Sequence, residues 1–131
     1  MIPWILAVLG VFVLQTLIPP IVRYLFAGPG TGARLRIALG ARDEQPPLSE
    51  VGRRAERALD NMHEALPVFL TLAVLHLVQR TPGDLPNAGA AVFLVARVIY
   101  LPAYMSGITG LRSAVWVVSW VGLIMMIAAL F

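Results

Sequence analysis

The sequence predicts an all-α membrane protein, a four-transmembrane-helix up-down bundle. Three observations carry that prediction. Of 131 residues 59% are hydrophobic and only 13% charged, with a mean hydropathy of +0.81, against roughly 45–50% apolar and roughly 25% charged residues in soluble domains. Four apolar stretches each approach or exceed the about 20 residues needed to cross the hydrocarbon of a bilayer. Two of the three connections between them are short, which makes the helices they join antiparallel neighbours.

The first helix is expected over about 1–27. Pro3 suits a first turn, whereas Pro19 and Pro20 remove backbone donors deep in the run and are expected to kink it. The stretch is a poor signal peptide, lacking a basic start and a small-residue cleavage site. The second helix, about 49–79, begins amphipathic and charged before its apolar body. The third covers about 86–106 and the fourth about 111–131, separated by the turns "RTPGDLP" and "SGITG". A longer connection over about 28–48 follows the first helix. Its "GPGTG" reads as a membrane exit, since no strand precedes it and no Lys-Ser or Lys-Thr follows, as a phosphate cradle would need. The whole chain, 1–131, reads as one transmembrane domain.

All ten basic residues are arginine, and there is no lysine or cysteine. Disulfides and thiolate metal sites are therefore excluded. Arg34, Arg36, Arg42, Arg53, Arg54 and Arg57 crowd the first connection and the start of the second helix, while the opposite side holds only Arg80. Arginine counting places the crowded side in the cytoplasm and both termini outside. The clustering is juxtamembrane and lacks the interleaved aromatics of a nucleic-acid surface.

Polar groups inside the spans are the candidate functional residues. At about 100° per residue, Arg53, Arg57, Asn61 and Glu64 fall within roughly 80° of one another, with Asp60 alongside. Arg97 lies near the middle of the third helix, followed by Tyr100 and Tyr104 on a similar face. Arg112 and Ser113 open the fourth. The topology brings Arg57, Asn61, Glu64, Tyr100, Tyr104, Arg112 and Ser113 to one slab at the cytoplasmic end, with Arg97 deeper. In a purely structural reading, Glu64 or Asp60 neutralises Arg97. In a functional reading, the guanidinium forks, amide, acids and phenols suit a small zwitterion with more than one carboxylate and an amine. A thiol on that ligand would be acidified by the charge of Arg112 and by a hydrogen bond from Ser113. His63 and His76 are roughly 140° apart on one helix, so they make no metal pair. His76, Trp4, Trp116 and Trp120 read as packing or interfacial residues.

The segments "GARDEQPPLSEVGRRAERALDNMHEALPVF" (40–69) and "ARVIYLPAYMSGITGLRS" (96–113) resemble the MAPEG family, the membrane-associated proteins in eicosanoid and glutathione metabolism, and most of all its small bacterial members. The resemblance implies a homotrimer in a bacterial inner membrane, with glutathione as cosubstrate bound near the cytosolic side between protomers. By matching position, Asn61 and Glu64 would hold the glutathione backbone and amine. Arg57 and Arg97 would hold carboxylates or brace Glu64, Tyr100 and Tyr104 would line the site, and Arg112 and Ser113 would stabilise the thiolate. Against the prostaglandin-synthase branch, Asp60 stands for a basic residue, Tyr100 for a histidine and Trp116 for a tyrosine.

Two functions from different classes follow. One is a glutathione-dependent transferase or peroxidase acting on lipophilic electrophiles or lipid hydroperoxides, with no metal and no nucleic-acid partner. The other, favoured by Asp60 and the altered ring residues, is a noncatalytic protein of the same fold that binds membrane lipid or serves as an assembly module.

Overall fold

The computed structural model describes residues 1–26 and 47–131. They form four helices: α1 (Ile2–Phe26), α2 (Glu50–Gln79), α3 (Leu85–Ser106) and α4 (Thr109–Ala128). Each is long and apolar enough to cross a membrane. Most of the first connection, with "GPGTG", Arg34, Arg36 and Arg42, lies outside the described residues.

Helix boundaries follow local chemistry. Ser49 caps α2, its Oγ accepting from the Gly52 amide at 3.1 Å, and Glu50 adds an acid to the first turn, where the helix dipole favours negative charge. Arg80 at the other end takes a left-handed conformation, φ 50°, and its amide bonds back to the His76 carbonyl. Pro86 opens α3, and Gly107, φ 78°, closes it in the left-handed region that glycine enters without steric cost. Pro19 and Pro20 lie within α1, Pro67 within α2 and Pro102 within α3, and every one of these helices continues through. The fourth helix starts two residues before the expected 111, because Ile108, extended, lets the Arg112 amide close a turn on its carbonyl.

Contacts at the helix ends fix the up-down order. Arg23, late in α1, pairs with Glu56, early in α2, at 2.8 Å. The Arg54 guanidinium, early in α2, donates to the Met105 carbonyl, late in α3, at 3.2 Å. His76 Nε2, late in α2, lies 2.8 Å from the Met126 carbonyl, late in α4; a carbonyl only accepts, so Nε2 donates. His76 is thus buried and bonded on both nitrogens, Nδ1 meeting the Thr81 hydroxyl at 2.9 Å. It is a packed residue, as the sequence suggested.

The apolar core joins Val8 of α1, Met62 to Ala73 of α2, Ala90 and Phe93 of α3, and Leu123 and Met126 of α4. Phe69 and Phe93 stack across it, 4.8 Å between centroids. Outside, exposed Leu6, Leu14, Val78, Val95, Val118 and Ile124 present the apolar surface expected of helices facing lipid. Such a surface gains nothing from burial against another helix, so association relies on close packing. The α3–α4 pair shows how close. A Cβ on Gly89 would sit 2.6 Å from the Gly122 carbonyl oxygen, and one on Gly122 would sit 2.7 Å from the Gly89 oxygen and the Phe93 amide.

Gly122→Val is therefore expected to lower stability by about 1–3 kcal/mol or more through overpacking. Gly10→Ala, with open space around it, is expected to be neutral or to stabilise by about 0.5–1 kcal/mol. Thermal midpoints in detergent check both; equal midpoints for the two variants would refute the close α3–α4 contact.

Candidate functional site

The Arg97 guanidinium lies in the middle of the bundle. Its side chain belongs to a residue only 1% exposed, and an arginine at such a depth costs roughly 2.5–3.5 kcal/mol on insertion scales. Three helices respond to it. Asn61 of α2 accepts from Nη1 at 2.6 Å, and Gln15 of α1, itself buried, donates to the Arg97 backbone carbonyl at 3.2 Å. On α3 itself, the guanidinium carbon lies 5.0 Å from the Phe93 ring centroid and 5.5 Å from that of Tyr100, within cation–π range.

The partner of Arg97 differs from expectation. Neither Glu64 nor Asp60 forms an ion pair with it among the described residues; Asn61 stands between. Because a guanidinium only donates, Asn61 presents its oxygen to Arg97 and turns its NH2 toward Glu64 Oε2, 3.5 Å away. The reason is helical position. Asn61 is half-buried on the side facing α3, whereas Asp60 and Glu64 are exposed. Arg97 Nε and Nη2 are left buried without a hydrogen-bond partner. Those two atoms form one edge of the guanidinium, the edge that accepts a carboxylate in bidentate fashion.

The remaining predicted residues surround Arg97 on the side toward the α3–α4 turn. Asn61, Tyr100, Tyr104, Arg112, Ser113 and Trp116 line a cavity of about 440 Å3. Next to it, Asn61, Glu64 and Arg97 line a smaller one of about 110 Å3, walled by Trp116, Trp120 and Leu123. The rings of Tyr100 and Tyr104 meet edge to face at 5.5 Å, and the Arg112 guanidinium lies over Tyr104 at 5.1 Å. Arg57 lies over the same ring at 5.9 Å and lines a third cavity with Tyr104 and Arg112, not the two that hold Asn61. Asp60 lines none of the three.

Two further features belong to this region. Trp116 and Trp120, which the sequence reads as packing or interfacial residues, form walls of the cavities and meet each other at 5.8 Å. Gln15 is the other, buried in the apolar middle of α1, where an amide needs a partner inside the bundle.

A family profile described as the MAPEG family matches residues 1–131. The chain belongs to the MAPEG family. No curated protein and no solved structure matches it. With four helices able to span, this MAPEG chain is an integral, multi-pass membrane protein of a family concerned with glutathione and eicosanoid metabolism.

Because Asn61 gives Arg97 its one side-chain acceptor among the described residues, Asn61→Leu is expected to cost about 1.5–3 kcal/mol, the scale of a hydrogen bond to a charged group. Asn61→Asp keeps an acceptor and adds a countercharge, so its thermal midpoint should fall less. A midpoint unchanged in Asn61→Leu would mean that this bond does not hold α2 to α3.

Proposed function

We propose that the protein is a membrane-embedded, glutathione-dependent enzyme, a transferase or peroxidase for lipophilic electrophiles or lipid hydroperoxides. The observation that carries this reading is the convergence of Asn61, Tyr100, Tyr104, Arg112 and Ser113, from three helices, on one cavity of about 440 Å3. That volume lies within the ~300–1,000 Å3 of small-molecule sites. The unpaired edge of Arg97 supports it further, since a buried cation with a free fork suits a ligand carboxylate. The exposed Glu64 carboxylate offers an acceptor for a ligand amine, beside the Asn61 amide that bridges it to Arg97. Exposed Trp116 and Val117 on the cavity wall suit an apolar second substrate arriving from lipid.

In this reading Arg112 favours the glutathione thiolate by its charge, and the Ser113 hydroxyl donates a hydrogen bond to the sulfur. The thiolate then forms a carbon–sulfur bond with an electrophile as the leaving group departs or a ring opens, taking up a proton. With a hydroperoxide, two glutathiones supply two electrons: the O–O bond breaks, the lipid leaves as the alcohol, and water and glutathione disulfide are formed. No metal enters either reaction. The protein would work as a homotrimer in a bacterial inner membrane, with the arginine-rich connection in the cytoplasm and both termini outside.

The noncatalytic alternative rests on Asp60, an exposed acid beside Asn61 that lowers the positive charge offered to an anionic tripeptide. One titration separates the two. Glutathione is added to the purified protein, and thiolate is read by ultraviolet difference absorbance against pH. The wild type is expected to saturate at millimolar glutathione, with the bound thiol titrating about one pH unit or more below the ~8.5 of a free cysteine thiol. A neighbouring cation lowers that value, so Arg112→Ala should move it back up while binding persists. Absence of a saturable signal in the wild type would remove the enzyme reading in favour of the lipid-binding one.

A further inference from the structure

α1 is the most apolar of the four spans, yet it carries the Gln15 amide in its middle, only 3% exposed. Nε2 donates to the Arg97 backbone carbonyl of α3 at 3.2 Å, while Oε1 is buried without a hydrogen-bond partner among the described residues. An amide satisfied on one side adds little to stability, because burying the unpaired oxygen costs roughly what the paired nitrogen contributes. Gln15 lines none of the three cavities. Any influence it has on their contents therefore passes through Arg97.

The backbone at that point benefits from an outside anchor. Pro102 lies within α3; it has no N–H for the Val98 carbonyl, and its ring crowds that oxygen, so the helix is least constrained at the peptides beside Arg97. α1 packs against α2 and α3, whereas α4 closes the opposite flank of that pair. Gln15 thus grips the Arg97 backbone from the α1 side. On the α4 side, Arg97 lines the cavity of about 110 Å3 walled by Trp116, Trp120 and Leu123, with its Nε and Nη2 unpaired among the described residues. The guanidinium ends a long side chain, so a small rotation of α3 becomes a larger displacement of the fork, and misplacement by about 1 Å can cost about 100-fold. We propose that Gln15 is a positioning residue: by anchoring the Arg97 carbonyl, it holds the free edge of the guanidinium where a ligand carboxylate accepts both of its hydrogen bonds. This rests on the glutathione reading and deepens it, assigning part of the recognition of a carboxylate to a residue of α1 that never meets the ligand.

The test is isothermal titration of the purified full-length protein in detergent with glutathione and with its diethyl ester, in which both carboxylates are blocked. The wild type is expected to bind glutathione at least about tenfold tighter than the ester, the scale of one hydrogen bond to a charged group. Gln15→Met keeps a side chain of similar length and removes the donor. It should weaken glutathione by about tenfold and leave the ester unchanged. In an Arg97→Met background the same substitution should change nothing further, because its effect passes through that guanidinium. The ester is the control for packing, since a bundle that merely loosened would lose both ligands alike. A preference kept in Gln15→Met, an equal loss of both ligands, a further loss in the Arg97→Met background or a Gln15→Met protein that fails to fold would each overturn the positioning role while the glutathione reading stands. Equal binding of the two ligands by the wild type would overturn it too, since Arg97 would then hold no carboxylate. Absence of glutathione binding to the wild type would instead remove the glutathione reading itself, and the positioning role with it.

Discussion

The cost of placing Arg97 in the hydrocarbon organises this bundle. Arg97 lies nine residues before the end of α3, about 14 Å along the helix axis at 1.5 Å per residue, which is near the middle of a bilayer core of about 30 Å. A guanidinium there must be solvated by protein. α1 contributes Gln15 to the backbone beside it, α2 contributes Asn61 to the side chain, and α3 contributes the faces of Phe93 and Tyr100. Polar contacts of this kind hold helices together where lipid removes the hydrophobic drive for association. Arg97 therefore ties three helices together at the depth where water offers nothing.

The α4 helix is held in another way. Its contact with α3 is a backbone approach through Gly89 and Gly122, and its far end is held by the bond from His76 to the Met126 carbonyl. Glycine at the crossing lets two backbones meet, and the buried histidine satisfies a carbonyl near the end of the helix, where the normal intrahelical donors run out. Gly122 and Met126 lie ten and fourteen residues beyond Arg112, about 15 and 21 Å along the helix, so packing there helps to set the register at which Arg112 meets Tyr104.

The fold was legible in the sequence because it rests on strong, local signals: apolar length and short connections. The site was legible to the level of residue types, since polar groups within apolar spans are costly enough to be conspicuous. Its pairings were not. Glu64 was the obvious countercharge for Arg97, yet Asn61 takes that place, because which of two residues three apart faces α3 depends on the rotation of α2. That rotation is fixed by Ala58, Met62 and Ala65 packing into the core, a property of the assembled bundle. Trp116 was equally opaque, as an aromatic at helical spacing reads the same whether it faces lipid, a helix or a cavity. Gln15 was detectable, for an amide among apolar residues carries the same cost argument as Arg97.

The arrangement of polar groups along α3 gives the site a direction. Arg97, Tyr100 and Tyr104 occur at spacings of three and four, within about 60° on one face, and their exposure rises from Arg97 through buried Tyr100 to half-buried Tyr104. Arg112 and Arg57 then lie over the Tyr104 ring at the outer end. The sequence of groups runs cation, phenol, phenol, cation, from the middle of the membrane toward its surface. A neutral lipophile would gain little from such a series, while a ligand with several charges could exchange water for protein partners at each step. Along its other side the same track is bordered by Trp116 and Trp120, both 40% exposed, so polar and apolar walls run side by side from the interface inward. In the proposed reading, a polar cosubstrate entering from the surface and an apolar one entering from lipid would meet along that border, where Trp116 lines both cavities and Arg112 and Ser113 line the larger.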